Sequence, residues 1–352
     1  MKIRWINKTN ISQFVENKEI YIYGYGSLGR VTAKWLERNG YNRYRFCVDR
    51  EYLGEGLCLI DECLEKVKLG KAICIFAIGE ADRYEAFRKA CDDVEIHAVF
   101  DPFEFWEYDE VDYKDHEKEL EEARTVLADE KSKRTFDSYI MAKKTGNGAQ
   151  CLEDATISGK YFNELTENIG EGAYVDCGAY NGDTIELFKS YYRSFNGKIY
   201  AFEPDKNNYE ALVKKMGDAT DTYLFNKGVW DSETTLVFHE GEGQRSEVSY
   251  DGNIKIDVIS LDEAIGENEK IAYVKIGMGN AERVLSGMER MIQQNMPIIS
   301  MLSLYSLQDL YSLPLILNKF SKEGKKYKVY LRHHSKTSSG LLFYYAIPEK
   351  NE

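Results

Sequence analysis

The sequence lacks an apolar run near the roughly 20 residues that a membrane-spanning helix needs. Its first residues, MKIRWINKTN, lack the apolar core of a secretory signal, so we expect a cytoplasmic protein with no membrane span. With only five prolines, the chain holds no long proline-rich linker. Its seven cysteines stand singly, in odd number and without CxxC spacing. Reduced thiols are therefore expected, with no disulfide framework, no zinc site and no other metal ligands.

Positive charge is also scarce relative to negative charge. The formal net charge is −13 and the isoelectric point is about 5.1, so the surface should repel a phosphate backbone, and we expect no nucleic-acid partner. The remaining composition is typical of a globular protein, with 43% hydrophobic residues. A chain of 352 residues with this composition can form about two domains, each with its own core.

A glycine-rich turn marks the first half of the chain. The apolar segment 19–25 predicts a strand that runs into the GxGxxG sequence of residues 24–29, and the spacing of residues 30–39 predicts a helix that begins at Arg30. Asp49 follows the next predicted strand, where dinucleotide-binding domains place an acid that binds ribose hydroxyls. Residues 1–110 are therefore predicted to form a small Rossmann-like α/β domain. Its glycines either bind an NAD(P) cofactor or serve tight packing alone, and both interpretations remain open.

Residues 111–160 are predicted to form a helical bridge between two domains. Glutamates and lysines in the run from 115 to 134 are spaced three and four apart, which is typical of a solvent-exposed helix. The more apolar stretch RTFDSYIMAKK, residues 134–144, predicts a second helix.

Residues 161–352 repeat a strand–turn–helix pattern. The apolar run from Ala173 ends at Asp176, a turn rich in glycine follows, and Asp183 and Thr184 open a helical segment. Further βαβ units follow, with a strand predicted over 235–239 that ends at His239 and a helix predicted over 281–293. The chain ends in two strand patterns that read as an antiparallel hairpin. This succession predicts a seven-stranded, mostly parallel Rossmann-like sheet of the class I methyltransferase type.

Carboxylates around this second glycine turn point to a cationic ligand. Asp176 and Asp183 flank the turn at a helix N-terminus, where dinucleotide-binding folds hold pyrophosphate. Two carboxylates would repel pyrophosphate but favour the ammonium and sulfonium groups of S-adenosylmethionine. Glu203, at the end of the next predicted strand, can accept hydrogen bonds from both ribose hydroxyls. The structural alternative for Asp183 is that it caps its helix.

These stretches resemble the FkbM-type methyltransferase family, and the resemblance covers about the last 190 residues. The resemblance implies S-adenosylmethionine-dependent O-methylation, often of a hydroxyl of a sugar, a surface glycan or a natural product. The matching segments lie, in the family's order, at 174–184, 200–212, 226–231, 259–265, 281–292 and 330–348. The predicted cofactor-binding residues are Asp176, Gly178, Tyr180, Gly182, Asp183, Thr184, Glu203, Pro204, Asn226, Gly228 and Val229.

One segment departs from the family pattern. The family usually carries K-x-D-x-E-G-A-E, whereas residues 275–282 read KIGMGNAE, so Gly277 and Gly279 replace two acids and Asn280 replaces a glycine. Such acids would position an acceptor or help to remove its proton, which glycine cannot do. The remaining catalytic candidates are Lys275, Glu282 and His333.

Each of these candidates has a structural alternative. Lys275 would act as a base only with a lowered pKa, and otherwise would be a salt-bridged strand residue. His333 either lines the pocket or makes a structural hydrogen bond.

Three functions therefore remain open. The first is an S-adenosylmethionine-dependent O-methyltransferase, whose catalysis the two glycines could impair. The second is a catalytically silent protein that binds the cofactor or serves as a scaffold. The third is an NAD(P)-dependent oxidoreductase that uses the GxGxxG turn. The expected partner is a small-molecule or glycan acceptor, and a homodimer is compatible with the sequence.

Overall fold

A computed structural model describes residues 2–79, 81–91, 94–155, 159–217, 219–238, 254–321 and 326–349. His239, at the end of a predicted strand, lies outside these residues. The chain divides into two compact units. The first unit comprises Met1–Asp115, Lys131–Ser158 and Arg332–Leu342, and the second comprises His116–Glu130, Gly159–Leu331 and Phe343–Glu352. None of the helices in the described ranges is long and apolar enough to cross a membrane.

The first 155 residues alternate strands and helices. The strands are β1 Lys2–Ile6, β2 Glu19–Tyr23, β3 Tyr44–Val48, β4 Cys58–Leu59, β5 Ala72–Phe76 and β6 Glu95–Val99. The helices are α1 Ile11–Val15, α2 Ser27–Arg38, α3 Ile60–Lys68, α4 Ala81–Ala90, α5 Glu110–Asp115, α6 Glu117–Thr125, α7 Glu130–Thr145 and α8 Ala149–Asp154.

The first unit contains a six-stranded sheet in the order β1-β6-β5-β2-β3-β4, and every pair in it is parallel. The Rossmann-like architecture predicted for this region is consistent with the structure. All five residues of β5, AICIF, are buried, as expected for a strand covered on both faces. The edge strand β1 was not predicted, because its polar residues Lys2 and Arg4 interrupt the apolar pattern that marks a strand.

The helix after the first glycine turn begins earlier than predicted, at Ser27 instead of Arg30. Its first turn includes Gly29, where a Cβ atom would lie 2.0 Å from the carbonyl oxygen of Gly24. Glycine is therefore required there for close packing of the helix against the turn.

The residues predicted as a helical bridge belong to both units and do not form a separate body. In the first unit, α7 buries Phe136 and Tyr139. In the second unit, α6 buries Leu120 and packs against a later helix, Leu307–Lys319. Apolar residues hidden among the charges explain why these helices pack onto the two units.

The second half contains ten strands and six helices among the described residues. The strands are β7 Ala173–Cys177, β8 Ile199–Phe202, β9 Thr222–Phe225, β10 Gly228–Val229, β11 Thr234–Phe238, β12 Ile254–Ile259, β13 Ile271–Ile276, β14 Ile298–Leu302, β15 Tyr327–His333 and β16 Leu342–Pro348. The helices are α9 Asp183–Tyr191, α10 Lys206–Met216, α11 Leu261–Ala264, α12 Ala281–Ser286, α13 Glu289–Asn295 and α14 Leu307–Lys319.

Seven of these strands form the main sheet, in the order β15-β16-β14-β13-β7-β8-β9. The strands from β14 to β9 pair in parallel, and β16 runs antiparallel to β14. The predicted class I methyltransferase sheet is thereby confirmed. Aromatic residues form much of the core beneath β7, where the rings of Tyr174 and Phe188 stack with centroids 3.9 Å apart.

The second half differs from the prediction in two details. Strands β10, β12 and β11 form a separate three-stranded sheet. The helix predicted over 281–293 is two helices that break at Gly287, where a Cβ atom would lie 2.1 Å from the Trp230 carbonyl oxygen. The Asp262 carboxylate accepts the N–H groups of Arg290 and Met291 and so caps the second helix from outside.

Candidate active site

The carboxyl ends of β7 and β13 define the candidate site. These strands are neighbours, and the sheet continues from β7 to β8 and β9 on one side and from β13 to β14 on the other. In parallel α/β sheets, ligands bind beyond the carboxyl ends of the strands at such a switch point. The turn 178–182 follows β7, and the segment 277–280 follows β13, so both lie at this place.

The turn after β7 contains three residues in left-handed backbone conformations. Gly178 and Gly182 have φ values of 80° and 85°, which glycine adopts without strain. Tyr180 has a φ of 50°, is 53% exposed, and stores about 1–2 kcal/mol of strain. Its N–H donates to Glu203 Oε2 at 2.8 Å, which holds the turn against β8. A strained, exposed residue in a fixed turn is typical of a functional site.

Asp176 lies at the centre of a buried hydrogen-bond network and is fully buried. Its Oδ2 accepts hydrogen bonds from the hydroxyls of Thr184 at 2.5 Å and Tyr174 at 3.0 Å. Its Oδ1 accepts one from Lys275 Nζ at 2.9 Å. Because Asp176 is fully buried and its charge is paired with Lys275, a direct contact with a cofactor would require these neighbours to move. In this structure Asp176 joins the turn, α9 and β13.

Lys275 is the buried cation that balances Asp176. The two are register partners on β13 and β7, so their side chains emerge next to each other. Lys275 Nζ also donates to the Gly178 carbonyl at 2.7 Å. Burial disfavours the charged form of Lys275, but the attraction of the Asp176 carboxylate is stronger than this effect. The pKa of Lys275 is therefore raised above its usual value. A general base needs a lowered pKa, so this geometry favours the salt-bridged alternative for Lys275, and a catalytic role of this residue stays a prediction.

Glu203 connects the turn after β7 to the end of β8. Besides the bond from Tyr180, its Oε1 accepts the N–H of Asp205 at 3.0 Å. Only 6% of the residue is exposed, and burial raises the pKa of Glu203 despite these donors. Each carboxylate oxygen keeps a lone pair for a further donor. The contact with ribose hydroxyls is thus compatible with the structure and stays a prediction.

The other residues predicted near Glu203 support this corner of the site. Asn226 Nδ2 donates to the carbonyls of Glu203 at 2.9 Å and Pro204 at 3.2 Å. Gly228 and Val229 are buried and form β10, which pairs with β12. Their contact with a cofactor stays a prediction.

Asp183 opens α9, but the N-cap residue is Gly182. The Asp183 carboxylate accepts the N–H of Thr184 at 2.8 Å and so satisfies one of the free donors of the first turn. The side chain is exposed. Its structural role therefore leaves room for the cationic ligand predicted at this position.

Lys275 and Tyr161 occupy the space where the resemblance predicts the first missing acid. A Cβ atom at Gly277 would lie 2.5 Å from Lys275 Nζ and 2.9 Å from the Tyr161 hydroxyl oxygen. At Gly279, the nearest atoms to such a Cβ belong to the Tyr305 ring, at 3.7 Å. Position 277 is thus filled by other side chains, whereas position 279 has room for a side chain.

We expect these two glycines to respond differently to alanine. Gly277→Ala should lower the free energy of unfolding by about 1–3 kcal/mol, because its methyl group displaces the ammonium group of a buried ion pair. Gly279→Ala should change it by less than about 1 kcal/mol, because its methyl group meets a ring at ordinary contact distance. Thermal and urea unfolding of the two variants measure the difference. Equal effects would contradict the packing of Lys275 against Gly277.

Glu282 lies in the first turn of α12 and is exposed. Its carboxylate accepts a hydrogen bond from Gln308 Nε2 on α14 at 3.1 Å. The residue before this helix, Asn280, has a φ of 60°. Asparagine tolerates this left-handed conformation better than other side chains, which accounts for its presence where the family has glycine. A catalytic role of Glu282 stays a prediction.

His333 belongs to the first unit. Its Nε2 lies 2.9 Å from the carbonyl oxygens of both Ser338 and Gly340, so this nitrogen is assigned the proton. Burial lowers the pKa of His333 to about 4. A neutral ring held by its own loop fits the structural alternative and does not support a catalytic role.

Asp309, in the first turn of α14, has a pKa that burial raises from 3.8 to about 6. Its carboxylate accepts the N–H groups of Tyr305 at 3.0 Å and Ser306 at 3.1 Å. The folded protein therefore binds this proton more tightly than the unfolded chain does. The resulting stability is fully present below about pH 4 and is lost as the pH rises through about 6.

We expect Asp309→Asn to raise the melting temperature above pH 6, corresponding to about 3 kcal/mol, and to leave it unchanged below pH 4. The amide keeps an acceptor oxygen for the two N–H donors but carries no buried charge. Melting temperatures of both proteins from pH 4 to pH 8 check this. A difference that does not vary with pH would contradict it.

In the first unit, packing explains two of the three glycines in the GxGxxG turn. Gly24 has a φ of 115°, and a Cβ atom there would lie 2.7 Å from the Ala77 carbonyl oxygen. Gly29 packs directly against Gly24. The acid predicted to bind ribose, Asp49, accepts a hydrogen bond from the Tyr23 hydroxyl at 2.9 Å.

The segment 332–342 covers the carboxyl ends of β5 and β6 within the first unit. The Thr337 hydroxyl donates to the carbonyl of Ile78, directly after β5, at 3.0 Å. The Ser339 hydroxyl donates to Asp101, after β6, at 2.6 Å. A dinucleotide would bind beyond the carboxyl ends, at the switch point between β2 and β5. The segment lies beside that point, which favours the scaffold interpretation of this unit over an NAD(P) site.

Comparison with known proteins agrees with the site in the second unit. Residues 176–327, which contain the turn, Glu203 and Lys275, match the family model of the methyltransferase FkbM domain. The chain contains an FkbM methyltransferase domain. The methyltransferase FkbM from Methylobacillus flagellatus KT shares the fold, with a TM-score of 0.57 and 15% identity over 97% of this chain and 92% of that chain.

Two other solved structures are similar at a lower level. Fibrillarin from Aeropyrum pernix, in complex with natively bound S-adenosyl-L-methionine, covers 52% of this chain and 69% of its own, at 13% identity and a TM-score of 0.31. Precorrin-6y C5,15-methyltransferase from Geobacter metallireducens GS-15 covers 53% and 84%, also at 13% identity and a TM-score of 0.31. These scores are too low to support an argument. No curated protein matches the chain.

Two residues around Asp176 and Lys275, both before the matched range 176–327, are not singled out by the sequence patterns. Tyr161 precedes the matched segments and no spacing marks it. Tyr174 is two residues before Asp176 on β7, so both side chains lie on one face of the strand. This spacing of two residues is the one sequence signal that could have predicted the hydrogen bond from the Tyr174 hydroxyl to Asp176.

Proposed function

We propose that the protein is an S-adenosylmethionine-dependent methyltransferase that acts on a hydroxyl group of a sugar, a glycan or a natural product. The observation that carries this proposal is the position of Glu203, which bonds to the left-handed turn after β7 inside the FkbM domain. A carboxylate there has lone pairs for ribose hydroxyls. The acceptor class rests on the family resemblance.

The residues at the carboxyl ends fit a cationic ligand. Asp183 has an exposed carboxylate that can pair with an ammonium group, and Glu203 can accept from the ribose. The charge of Asp176 is already balanced by Lys275. Asp183 therefore supplies the exposed charge for the ligand, while Asp176 fixes the turn. When bound, the cofactor supplies a methyl group on a positively charged sulfur.

The protein's own contribution to transfer is mainly alignment. In-line displacement gains much of its rate from holding the acceptor oxygen opposite the methyl group. Gly277 and Gly279 provide no carboxylate to accept the hydroxyl proton, although the family has acids at both positions. Lys275 cannot replace them, because its raised pKa keeps it protonated. We therefore expect slow turnover. We also place the reaction in the cytoplasm, because all seven cysteines are free thiols.

A test with the full-length protein separates this proposal from a silent cofactor-binding protein. The protein is incubated with S-adenosylmethionine labelled in its methyl group and with a panel of hydroxylated acceptors. Labelled product together with S-adenosylhomocysteine supports the proposal. Calorimetry that shows cofactor binding without any product supports the silent protein, and no binding at millimolar cofactor overturns both.

Gly279→Glu provides the most informative variant in this test. It restores one family acid where the structure has room, whereas an acid at position 277 collides with Lys275. A slow enzyme should gain turnover in this variant with little change in cofactor affinity. Gly279→Ala is the matched control, since it adds a Cβ atom without a carboxylate.

A further inference from the structure

Three cysteines that are far apart in the sequence meet in the core of the first unit. Cys47 lies on β3, Cys63 in α3 and Cys74 on β5, and each is fully buried. Their three sulfur atoms all lie within 4.8 Å of one another. No short motif contains any two of them, so the spacing rules that exclude a zinc motif could not reveal this cluster.

A disulfide bond cannot join Cys47 and Cys74, the two cysteines of the cluster that lie on the sheet. Strands β3 and β5 pair with opposite sides of β2. Two strand spacings, about 9.5 Å, therefore separate the backbones of Cys47 and Cys74. A disulfide requires Cα atoms within about 7 Å. The sulfur atoms converge across β2 without being able to bond.

We propose that Cys47, Cys63 and Cys74 form a binding site for a soft metal ion. Thiolate sulfur selects soft ions over Mg²⁺ or Ca²⁺. An ion at the centre of three sulfurs, with bonds of about 2.3 Å as in zinc thiolates, would place the sulfurs about 4 Å apart, within the observed limit.

The number of ligands narrows the class of ion. Structural zinc sites and iron–sulfur clusters take four protein ligands. Among the described residues the cluster has three cysteine ligands. Cys58 on neighbouring β4 is not a fourth, because its thiol donates to the Phe46 carbonyl at 3.2 Å. The geometry thus favours an ion that is satisfied by three thiolates, and Cu(I) is the soft ion of this type; Cd²⁺ serves as a spectroscopic probe.

Thiols also fill protein cores as small apolar groups, and this is the competing explanation. Binding of a metal to the thiolates distinguishes the two explanations. In the folded protein the Cys47 thiol is a donor to the Ile22 carbonyl, with sulfur 3.7 Å from the oxygen. Each thiol that coordinates a metal loses its proton, so Cd²⁺ bound by all three thiols releases three protons and leaves one negative charge on the site.

The test is a titration of the reduced full-length protein, without oxygen, with Cd²⁺ and separately with Cu(I) held by a competing chelator. We expect one equivalent to bind with a thiolate-to-metal absorption band, and the melting temperature to rise. Cys63→Ser should lower the affinity at least tenfold and remove the band. Cys151→Ser, which changes a buried cysteine outside the cluster, and Cys91→Ser, which changes a half-buried one, should retain both.

Absence of the band with both ions, or an unchanged band in Cys63→Ser, would overturn the proposal. If Cys63→Ser does not fold, Cys74→Ala supplies the same comparison with a small apolar side chain. None of these measurements depends on methyltransferase activity.

Discussion

Lys275→Met is expected to lower the free energy of unfolding by about 3–5 kcal/mol. The methionine keeps a long side chain but removes the cation that bonds to Asp176 at 2.9 Å. Asp176 remains fully buried, with the Tyr174 and Thr184 hydroxyls as its other donors. An uncompensated buried charge accounts for the loss. Scanning calorimetry of the full-length protein measures it.

The double variant Lys275→Met/Asp176→Asn is the matched control. It removes both charges and should recover a large part of the loss, because a buried amide needs no counter-ion. Lys198→Met breaks a partly exposed pair with Glu269 and should hardly change the melting temperature. The buried-pair interpretation fails if Lys275→Met behaves like Lys198→Met, or if the double variant is no more stable than the single one.

Glu203→Gln should weaken binding of S-adenosylhomocysteine by about 10-fold to 100-fold. Hydrogen bonds to a charged acceptor contribute about 1.5–3 kcal/mol, and this substitution removes the charge. It also turns an amide NH₂ toward one of two backbone donors, the N–H of Tyr180 or of Asp205. Isothermal titration calorimetry with S-adenosylhomocysteine measures the affinity of both proteins.

Asp205→Ala separates ligand contact from support of the fold. The Asp205 side chain accepts the Asn208 N–H at 2.8 Å as the N-cap of α10, and its loss should cost about 1 kcal/mol of stability. We expect Asp205→Ala to bind S-adenosylhomocysteine with nearly unchanged affinity. Full affinity in Glu203→Gln would refute the ribose contact, and equal weakening in both variants would assign Glu203 a supporting role only.

Much of the fold could be predicted because its signals are local. The buried strand β7 reads as a short apolar run, and Gly178 and Gly182 stand where the backbone needs positive φ. The prediction of a single helix over 281–293 was wrong, because the break depends on contacts with residues far away in the sequence. Gly287 must approach the Trp230 carbonyl, and Asp262 caps the second half from a distant part of the chain.

The candidate site could be predicted only in part, because a pattern can place a residue at a strand end but cannot show what it touches. Asp176 and Glu203 were expected at neighbouring strand ends, and the register of β7 with β8 pairs Asp176 with Ala201, two residues before Glu203. The backbone donors of Glu203 and the ion pair of Asp176 with Lys275 became visible only in the tertiary structure. Acidic charge in the sequence therefore did not distinguish the carboxylate that can accept a ligand from the one that is already paired.

By itself, the sequence determined the class I methyltransferase sheet, the glycine turn and the resemblance to the FkbM family, since apolar periodicity and glycine positions act over a few residues. The tertiary structure alone decided that Lys275 is a salt-bridged cation, that the segment 332–342 belongs to the first unit, and that Cys47, Cys63 and Cys74 converge. Each of these depends on strand order and register between distant segments. Such pairing is set by the packing of the whole sheet, which local sequence does not encode.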